Sequence, residues 1–252
     1  MNEMQATLVA FYGFDKPQQF VHLIAECQNW AGHLLGGAFN SYPLEQVHGT
    51  IIGLEGSVEG ERILNRNFRD IGQDREMLIY EMIRQCRSFE PFTIRLGGWQ
   101  DKEYGFRNGM NESPYEGSFF VRGGLSGAMG WPVAETESGD ETTRRLYDLR
   151  KMLEVEANVL HRWHRDPNFI DNDFFFRIGL TPLQDSDPLV ETARSEMRRY
   201  MSQHDSVELV IRPETLTVVA YTDNKLPWES DPQNRRNLED VTTGWIREVY
   251  GR

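Results

Sequence analysis

Hydrophobic positions along the chain fall into segments whose period switches between strand and helix. The first run, Ala6 to Phe14, is rich in β-branched and aromatic residues and stops at Gly13, Asp15 and Pro17, which reads as a strand. Beyond it Phe20, Leu23, Ile24, Cys27 and Trp30 recur at helical spacing, with Asp15 placed to cap that helix and Pro17 in its first turn. Gly32, Gly36, Gly37 and Pro43 make residues 30–46 a loop, followed by a second strand from Gln46 to Leu54. The polar stretch Glu61 to Arg75 fits neither period. Leu78, Ile79, Met82, Ile83 and Cys86 mark a helix from Glu76 to Arg87, and Phe92 to Gly98 is extended. A Gly/Asn-rich connection that reads as a long hairpin loop leads to a strand from Gly117 to Gly123. Gly123 to Thr142, rich in glycine and acids and without a period, reads as an exposed loop.

The rear of the chain repeats the pattern. Leu146, Leu149, Leu153, Ala157, Leu160 and His164 form one stripe of a helix from Thr142 to His164, and an aromatic strand runs from Asp173 to Leu180. A helix from Pro188 to His204 precedes Val207 to Ile211 and Thr215 to Tyr221, which read as an antiparallel hairpin joined at Pro213 and Glu214. A short helix is expected around Val241 to Val249. The chain thus reads as two similar halves, each with helices over one face of its strands, so that the open faces oppose each other across a cleft. This predicts an α+β domain over residues 1–222, with lobes at about 1–123 and 143–222 and residues 223–252 packed on it as an extension.

At 252 residues and 39% hydrophobic, the chain can bury a sizeable core. No apolar stretch is long enough for a membrane span, and Met1 to Thr7 has neither a basic region nor a cleavage site, so a cytoplasmic protein without membrane contact is expected. Cys27 and Cys86 both fall on helix faces and read as core thiols. The net charge of -12 argues against long duplex nucleic acid as a partner. Of the 27 cations only four are Lys, and the forked guanidinium of the others suits a small phosphate or carboxylate.

The segment Val47-His48-Gly49-Thr50-Ile51 carries the most chemistry. On a strand His48 and Thr50 share a face. An imidazole titrating near neutrality beside a hydroxyl can move a proton and hold a phosphoryl oxygen. Arg95 and Arg122, alternating with apolar residues on their strands, face the cleft or solvent. His161 and His164 at i and i+3, with Asp166 nearby, could suggest a metal cluster; no carboxylate stands at ligand spacing to complete it, and an exposed helix end explains them. Gly123-Gly124-Leu125-Ser126-Gly127 lacks the ending of a phosphate-binding loop. Neither a metal nor a cofactor is expected.

In their order, His48-Gly49-Thr50 closing a β-α-β unit, Pro91-Phe92-Thr93-Ile94-Arg95-Leu96, Ser118-Phe119-Phe120-Val121-Arg122, the long helix, and the late strands Val207-Glu208-Leu209-Val210-Ile211 and Leu216-Thr217-Val218-Val219 resemble the 2H phosphoesterase superfamily, the LigT-like or RNA 2',3'-cyclic phosphodiesterase fold. The resemblance runs over roughly Ala6 to Thr222, by element order more than by identity. It implies duplicated β-α-β units whose antiparallel sheets face a central cleft, helices outside, and two His-x-Ser/Thr motifs converging on a phosphodiester. His48 and Thr50 map onto the first motif. The second is degenerate: Phe174-Phe175-Phe176-Arg177-Ile178-Gly179-Leu180 has no His, and its best registers place either Arg177 and Gly179 or Phe174 and Phe176 there, the first being favoured because Ile178 and Leu180 then point toward the helices. Arg177 can bind a phosphate but cannot exchange a proton at neutral pH. The resemblance therefore implies a phosphoesterase acting on a nucleotide, cyclic nucleotide or RNA end through His48. Thr50, Arg177, Arg95 and Arg122 would serve its phosphate, and Tyr12, Phe176 and Tyr221 would stack on a base. Two other readings stay open: a degenerate binder that sequesters a nucleotide without turnover, and a protein-interaction domain.

Overall fold

The computed structural model describes residues 3–134, 141–228 and 232–251. In chain order the elements are β1 (Gln5–Ala10), α1 (Gln18–Leu35), β2 (Asn40–Ser41), β3 (Gly49–Gly53), the hairpin β4 (Gly56–Glu59) and β5 (Arg62–Asn65), α2 (Arg66–Arg69), α3 (Ile79–Ser88), β6 (Phe92–Leu96), α4 (Pro114–Gly117), β7 (Phe119–Arg122) and β8 (Leu125–Val133). They continue with α5 (Arg145–Ala157), β9 (Phe174–Leu180), α6 (Pro188–Gln203), β10 (Val207–Ile211), β11 (Leu216–Tyr221), β12 (Arg235–Asn237) and α7 (Thr243–Tyr250). This is a mixed α+β fold on antiparallel strands, and no helix among the described residues is long and apolar enough to cross a membrane.

The two expected sheets are the arms of one ten-stranded sheet. One arm holds β10, β6, β8 and β9, with β7 beside β8 and β2 beside β9; the other holds β3, β1, β11 and β12. The arms join at a single registered pair, Gly49 with Phe176. Gly49 has to be glycine here, since a Cβ would lie 2.3 Å from the Phe174 ring. Strands β10 and β11 do not form the expected hairpin: β10 pairs with β6, and β11 with β1 and β12. Only a few residues link Ile211 to Leu216, a reach of about 17 Å. Six strand spacings of a flat sheet would need roughly 29 Å. The sheet is therefore bent, bringing its far arms within reach of that short turn.

The expected exposed loop after Gly123 is instead the nine-residue strand β8, buried between β6 and β9 for all but its first residue. It hides from a periodicity reading because both of its faces are covered, so no alternation is visible. Its glycines admit close neighbours: a Cβ at Gly127 would meet Phe120 at 2.4 Å, and one at Gly130 would meet Ile94 at 2.5 Å. The part of that loop at residues 135–140 lies outside the described residues. The long hairpin expected between β6 and β7 is likewise absent; β7 pairs with β8 through a tight turn at Gly123 and Gly124, both at positive φ.

Helix α1 runs past its expected end at Trp30 to Leu35, and Pro17, not the Asp15 side chain, stands at its start. Helix α5 stops at Ala157, where Asn158 takes the left-handed conformation and turns the chain, so His161 and His164 are not on the helix. One apolar cluster holds α1, α3, α5, α6 and α7 against both arms, with Cys27 and Cys86 as buried free thiols. A second, around Trp99, Met129 and Trp131, covers the other side of the rear arm, and a third, around Val9, Tyr12, Val219 and Leu226, covers the front arm. The terminal segment belongs to the same body: β12 extends the sheet, and Ile246 and Val249 are fully buried.

Candidate functional site

Beyond the Gly49–Phe176 pair, β3 and β9 diverge, and a side chain from the helix layer fills the gap. Arg150 of α5 is buried; it donates to the carbonyls of Ile51 (2.7 Å), Thr50 (3.0 Å) and Asp171 (3.0 Å) and lies 3.1 Å from the Asp171 carboxylate. One guanidinium thus replaces the missing ladder bonds between the arms, satisfying carbonyls that would otherwise be stranded.

At this junction a cavity of about 350 Å³ opens, lined by His48, Thr50, Phe175 and Arg177 from the two central strands. With Gly49 opposite Phe176 in an antiparallel register, His48 stands across from Arg177 and Thr50 across from Phe175. Arg162, Trp163 and His161 come from the turn after α5, and Tyr221 and Glu55 from the front arm.

His48 is 8% exposed, and its Nδ1 lies 2.6 Å from the Gln46 carbonyl, to which it donates, leaving Nε2 as a lone-pair acceptor. Burial pulls its pKa down to about 4, against the Gln46 hydrogen bond, and the charges of Arg177 and Lys16 lower it further. The imidazole is neutral at pH 7, as a general base must be. Burial also lowers the pKa of Arg177, and the charge of Arg162 adds to the effect. Two guanidiniums therefore converge on the cavity. Arg177 donates to the Asn224 carbonyl (3.2 Å), Arg162 lies against the Trp163 ring, and among the described residues neither has a carboxylate at ion-pair distance. Arg122 also lines the cavity but is paired with Glu112 at 2.7 Å. The Tyr221 hydroxyl donates to Glu55 (3.3 Å); burial and the Glu55 charge hold it well above the usual phenol range.

Three residues expected to contact a ligand sit elsewhere. Phe176 is fully buried on the helix side, its ring 4.8 Å from Phe20 and 5.0 Å from Phe174, because alternation puts it opposite to Phe175 and Arg177. Tyr12 stands behind His48, ring edge to ring at 5.6 Å, with its hydroxyl donating to the Leu226 carbonyl. Arg95 is on β6, away from the cavity, against the Trp99 ring and donating to the Gly98 carbonyl (2.9 Å). Gly179, taken as the partner of Arg177 in the degenerate motif, pairs with Ser41; the position that shares the cavity with Arg177 is Phe175.

The turn after α5 corrects the expectation for its histidines. His161 and His164 are buried, and the carboxylate absent from the local sequence arrives from Asp171, whose Oδ2 is 2.9 Å from His161 Nδ1. Donor atoms of His161, His164 and Asp171 lie within 4.8 Å of one another, close enough to consider a divalent cation. The Arg150 guanidinium 3.1 Å from the same Asp171 oxygen already neutralises it, and a second cation there would be repelled. Burial pushes the Asp173 carboxyl up, and the neighbouring Asp171 charge pushes it further. For Asp171 burial acts upward, but Arg150 and the hydrogen bond with His161 outweigh it and hold the carboxyl well below its usual range.

These buried groups set an acid limit. Burial lowers His48 and His161 to about 4 and His164 to about 3, from 6.5. Unfolding releases imidazoles that bind protons at higher pH, so their contribution to stability is complete above about pH 6.5 and is lost as pH falls toward 4. The raised carboxyl of Asp173 acts in the opposite direction. Three imidazoles against one carboxyl leave the unfolded chain ahead by at least one proton, a slope of at least about 1.4 kcal/mol per pH unit. Denaturant unfolding midpoints should fall steadily between pH 6 and 4; equal midpoints at pH 7 and 5 would contradict the buried, neutral state of these rings.

No protein-family model matches the chain, and no curated protein matches it significantly. Among solved structures it is similar to a conserved protein of unknown function, ATU0111, from Agrobacterium tumefaciens str. C58, at 12% identity and a TM-score of 0.44 over 88% of this chain and 82% of that one. It is also similar to the protein TT0787 of Thermus thermophilus, at 16% identity and a TM-score of 0.38 over 92% of each chain.

Proposed function

We propose that this chain is a 2H-phosphoesterase-like protein whose two arms form a degenerate pair of lobes around a phosphodiester site, and that it acts on a nucleotide, a cyclic nucleotide or an RNA end. The observation that carries the reading is the convergence of Arg177 and Arg162, without carboxylate partners among the described residues, on a cavity that also holds a neutral His48 and the Thr50 hydroxyl. Inside a chain of net charge -12, two such guanidiniums select a compact anion over extended nucleic acid. Thr50 holds a non-bridging phosphoryl oxygen, the guanidiniums neutralise the phosphate, and His48 Nε2 takes the proton of the attacking water. Phe175, which lines the cavity beside Arg177, offers a ring on which a base stacks, a contact worth about 1–3 kcal/mol.

The test is incubation with 2',3'-cyclic nucleotides and short oligonucleotides bearing cyclic or monoester ends, with binding and turnover measured separately. Arg177→Ala should weaken binding by roughly 10- to 100-fold, the worth of one charge-assisted contact. It should also flatten the salt dependence. Isothermal titration with a 2',3'-cyclic nucleotide at two salt concentrations reads both; unchanged affinity in Arg177→Ala would remove the anion site from this cavity.

A further inference from the structure

We propose that His161, held by Asp171, is the second proton-transfer group of this cavity, donating to the leaving oxygen of the phosphodiester that His48 and Thr50 engage. The inference rests on the phosphoesterase reading above and assigns a role to a residue outside both strands of that reading. Strand β9 offers only Phe175 and Arg177 to the cavity, so it supplies no proton carrier. His161 reaches the same cavity from the turn after α5. Its Nδ1 lies 2.9 Å from Asp171 Oδ2, and Asp171 is fixed in turn by Arg150 through its carboxylate and its carbonyl. This 2.9 Å ion-pair contact turns Nδ1 toward the Asp171 carboxylate and leaves Nε2 as the nitrogen available to the cavity. His164, beside it, is not among the cavity-lining residues; its ring meets His161 at 5.4 Å and Tyr147 at 5.2 Å.

The groups facing His161 are Arg150 from α5, Arg162 and His164 from its own turn, and Asp171 from the segment before β9, with Asp173 behind Asp171. Burial of the ring and the two guanidiniums keep it neutral, while Asp171 favours its protonation. A bound phosphate brings a negative charge to the other side of the ring and favours the imidazolium. With substrate in place, the water oxygen forms its bond to phosphorus as His48 Nε2 takes the water proton. The bond from phosphorus to the leaving ribose oxygen breaks as His161 Nε2 gives its proton to that oxygen. A phosphomonoester and a free hydroxyl result. Solvent then removes the proton from His48 and returns one to His161, so no oxidant, reductant or metal is consumed.

The experiment pairs kinetics with a direct reading of the ring. In wild type, His161→Asn and His48→Ala, turnover of a 2',3'-cyclic nucleotide and its binding would be measured, with and without chelator. His161→Asn should bind within about threefold of wild type and lose turnover by roughly 100- to 10,000-fold, the range of a lost general acid. The alkaline limb of the kcat profile should disappear with it. Histidine NMR of the labelled protein would follow each ring as inorganic phosphate is added; the His161 resonance should titrate at higher pH with phosphate than without, and that of His164 should not. Wild-type turnover with full turnover in His161→Asn would overturn the role of His161 and leave the phosphoesterase reading standing. Phosphate-dependent protonation of His161 in a wild type without turnover would overturn the reaction and keep the His161–anion contact. No response of His161 to phosphate, or turnover abolished by chelator, would overturn the proposal.

Discussion

Replacing Arg150 with Met should destabilise the fold by about 3–5 kcal/mol, the range seen when one partner of a buried pair is removed. The stem length is kept, so the loss isolates the guanidinium. What is stranded is specific: the Asp171 carboxylate loses its counter-charge, and the carbonyls of Thr50, Ile51 and Asp171 lose the donor that replaces a sheet ladder where β3 and β9 diverge. Only the Gly49–Phe176 pair would still register the two arms against each other. The deficit should shrink as pH falls, because an unpaired Asp171 protonates more readily than the paired one and then carries no charge to strand. Adding Asp171→Asn to the variant should recover part of the loss at pH 7 for the same reason. Equilibrium unfolding in denaturant at pH 7 and 5 checks all three expectations; a loss under about 1 kcal/mol at pH 7 would mean that the junction is held by apolar packing alone.

Arg150 also marks how far the sequence was legible. It lies four residues after Leu146 and three before Leu153, on the stripe that periodicity assigns to the core, and both of those leucines are fully buried. A charge on that stripe signals a buried partner, although it does not say which. The alternation in β3 was equally readable, since polar His48 and Thr50 bracket a glycine and precede the apolar Ile51 and Ile52. Arg177 could be placed opposite Ile178 by the same rule. The rest depended on long-range pairing. Strand β8 has neighbours on both edges and on both faces, so its residues carry no period. The separation of β10 from β11 follows from the bend of the sheet, which a short Pro-containing turn resembles locally but does not encode. His161 and Asp171 meet where Asn158 ends α5 early and turns the chain back, an end that the helical period running on to His164 does not reveal. The missed site residues, Arg150, His161, Arg162, Trp163 and Asp171, all lie on that helix or in the turn and loop after it.

His48→Ala should lower turnover of a susceptible phosphodiester by roughly 100- to 10,000-fold, the usual contribution of a general base. On the proposed phosphoesterase reading, three features make His48, rather than another imidazole, the base that this substitution removes. Its Nδ1 is committed to the Gln46 carbonyl, so Nε2 holds the lone pair; its pKa near 4 keeps it neutral at pH 7; and it stands opposite Arg177, where a bound phosphate would lie between the two. The wild-type kcat/KM should therefore fall as pH drops toward 4, while the residual rate of His48→Ala should not follow that limb, with the folded fraction monitored in parallel by circular dichroism. Because the ring is buried against Tyr12, Ala removes packing as well as chemistry, and His48→Gln supplies the control. Its amide can still donate to Gln46 and fill the space, but it cannot accept and release a proton. Equal loss of turnover in both variants, with nucleotide affinity preserved in His48→Gln, would assign the loss to proton transfer. Turnover retained in His48→Gln would reduce His48 to a positioning residue and would require the water to be activated by another group in the same cavity.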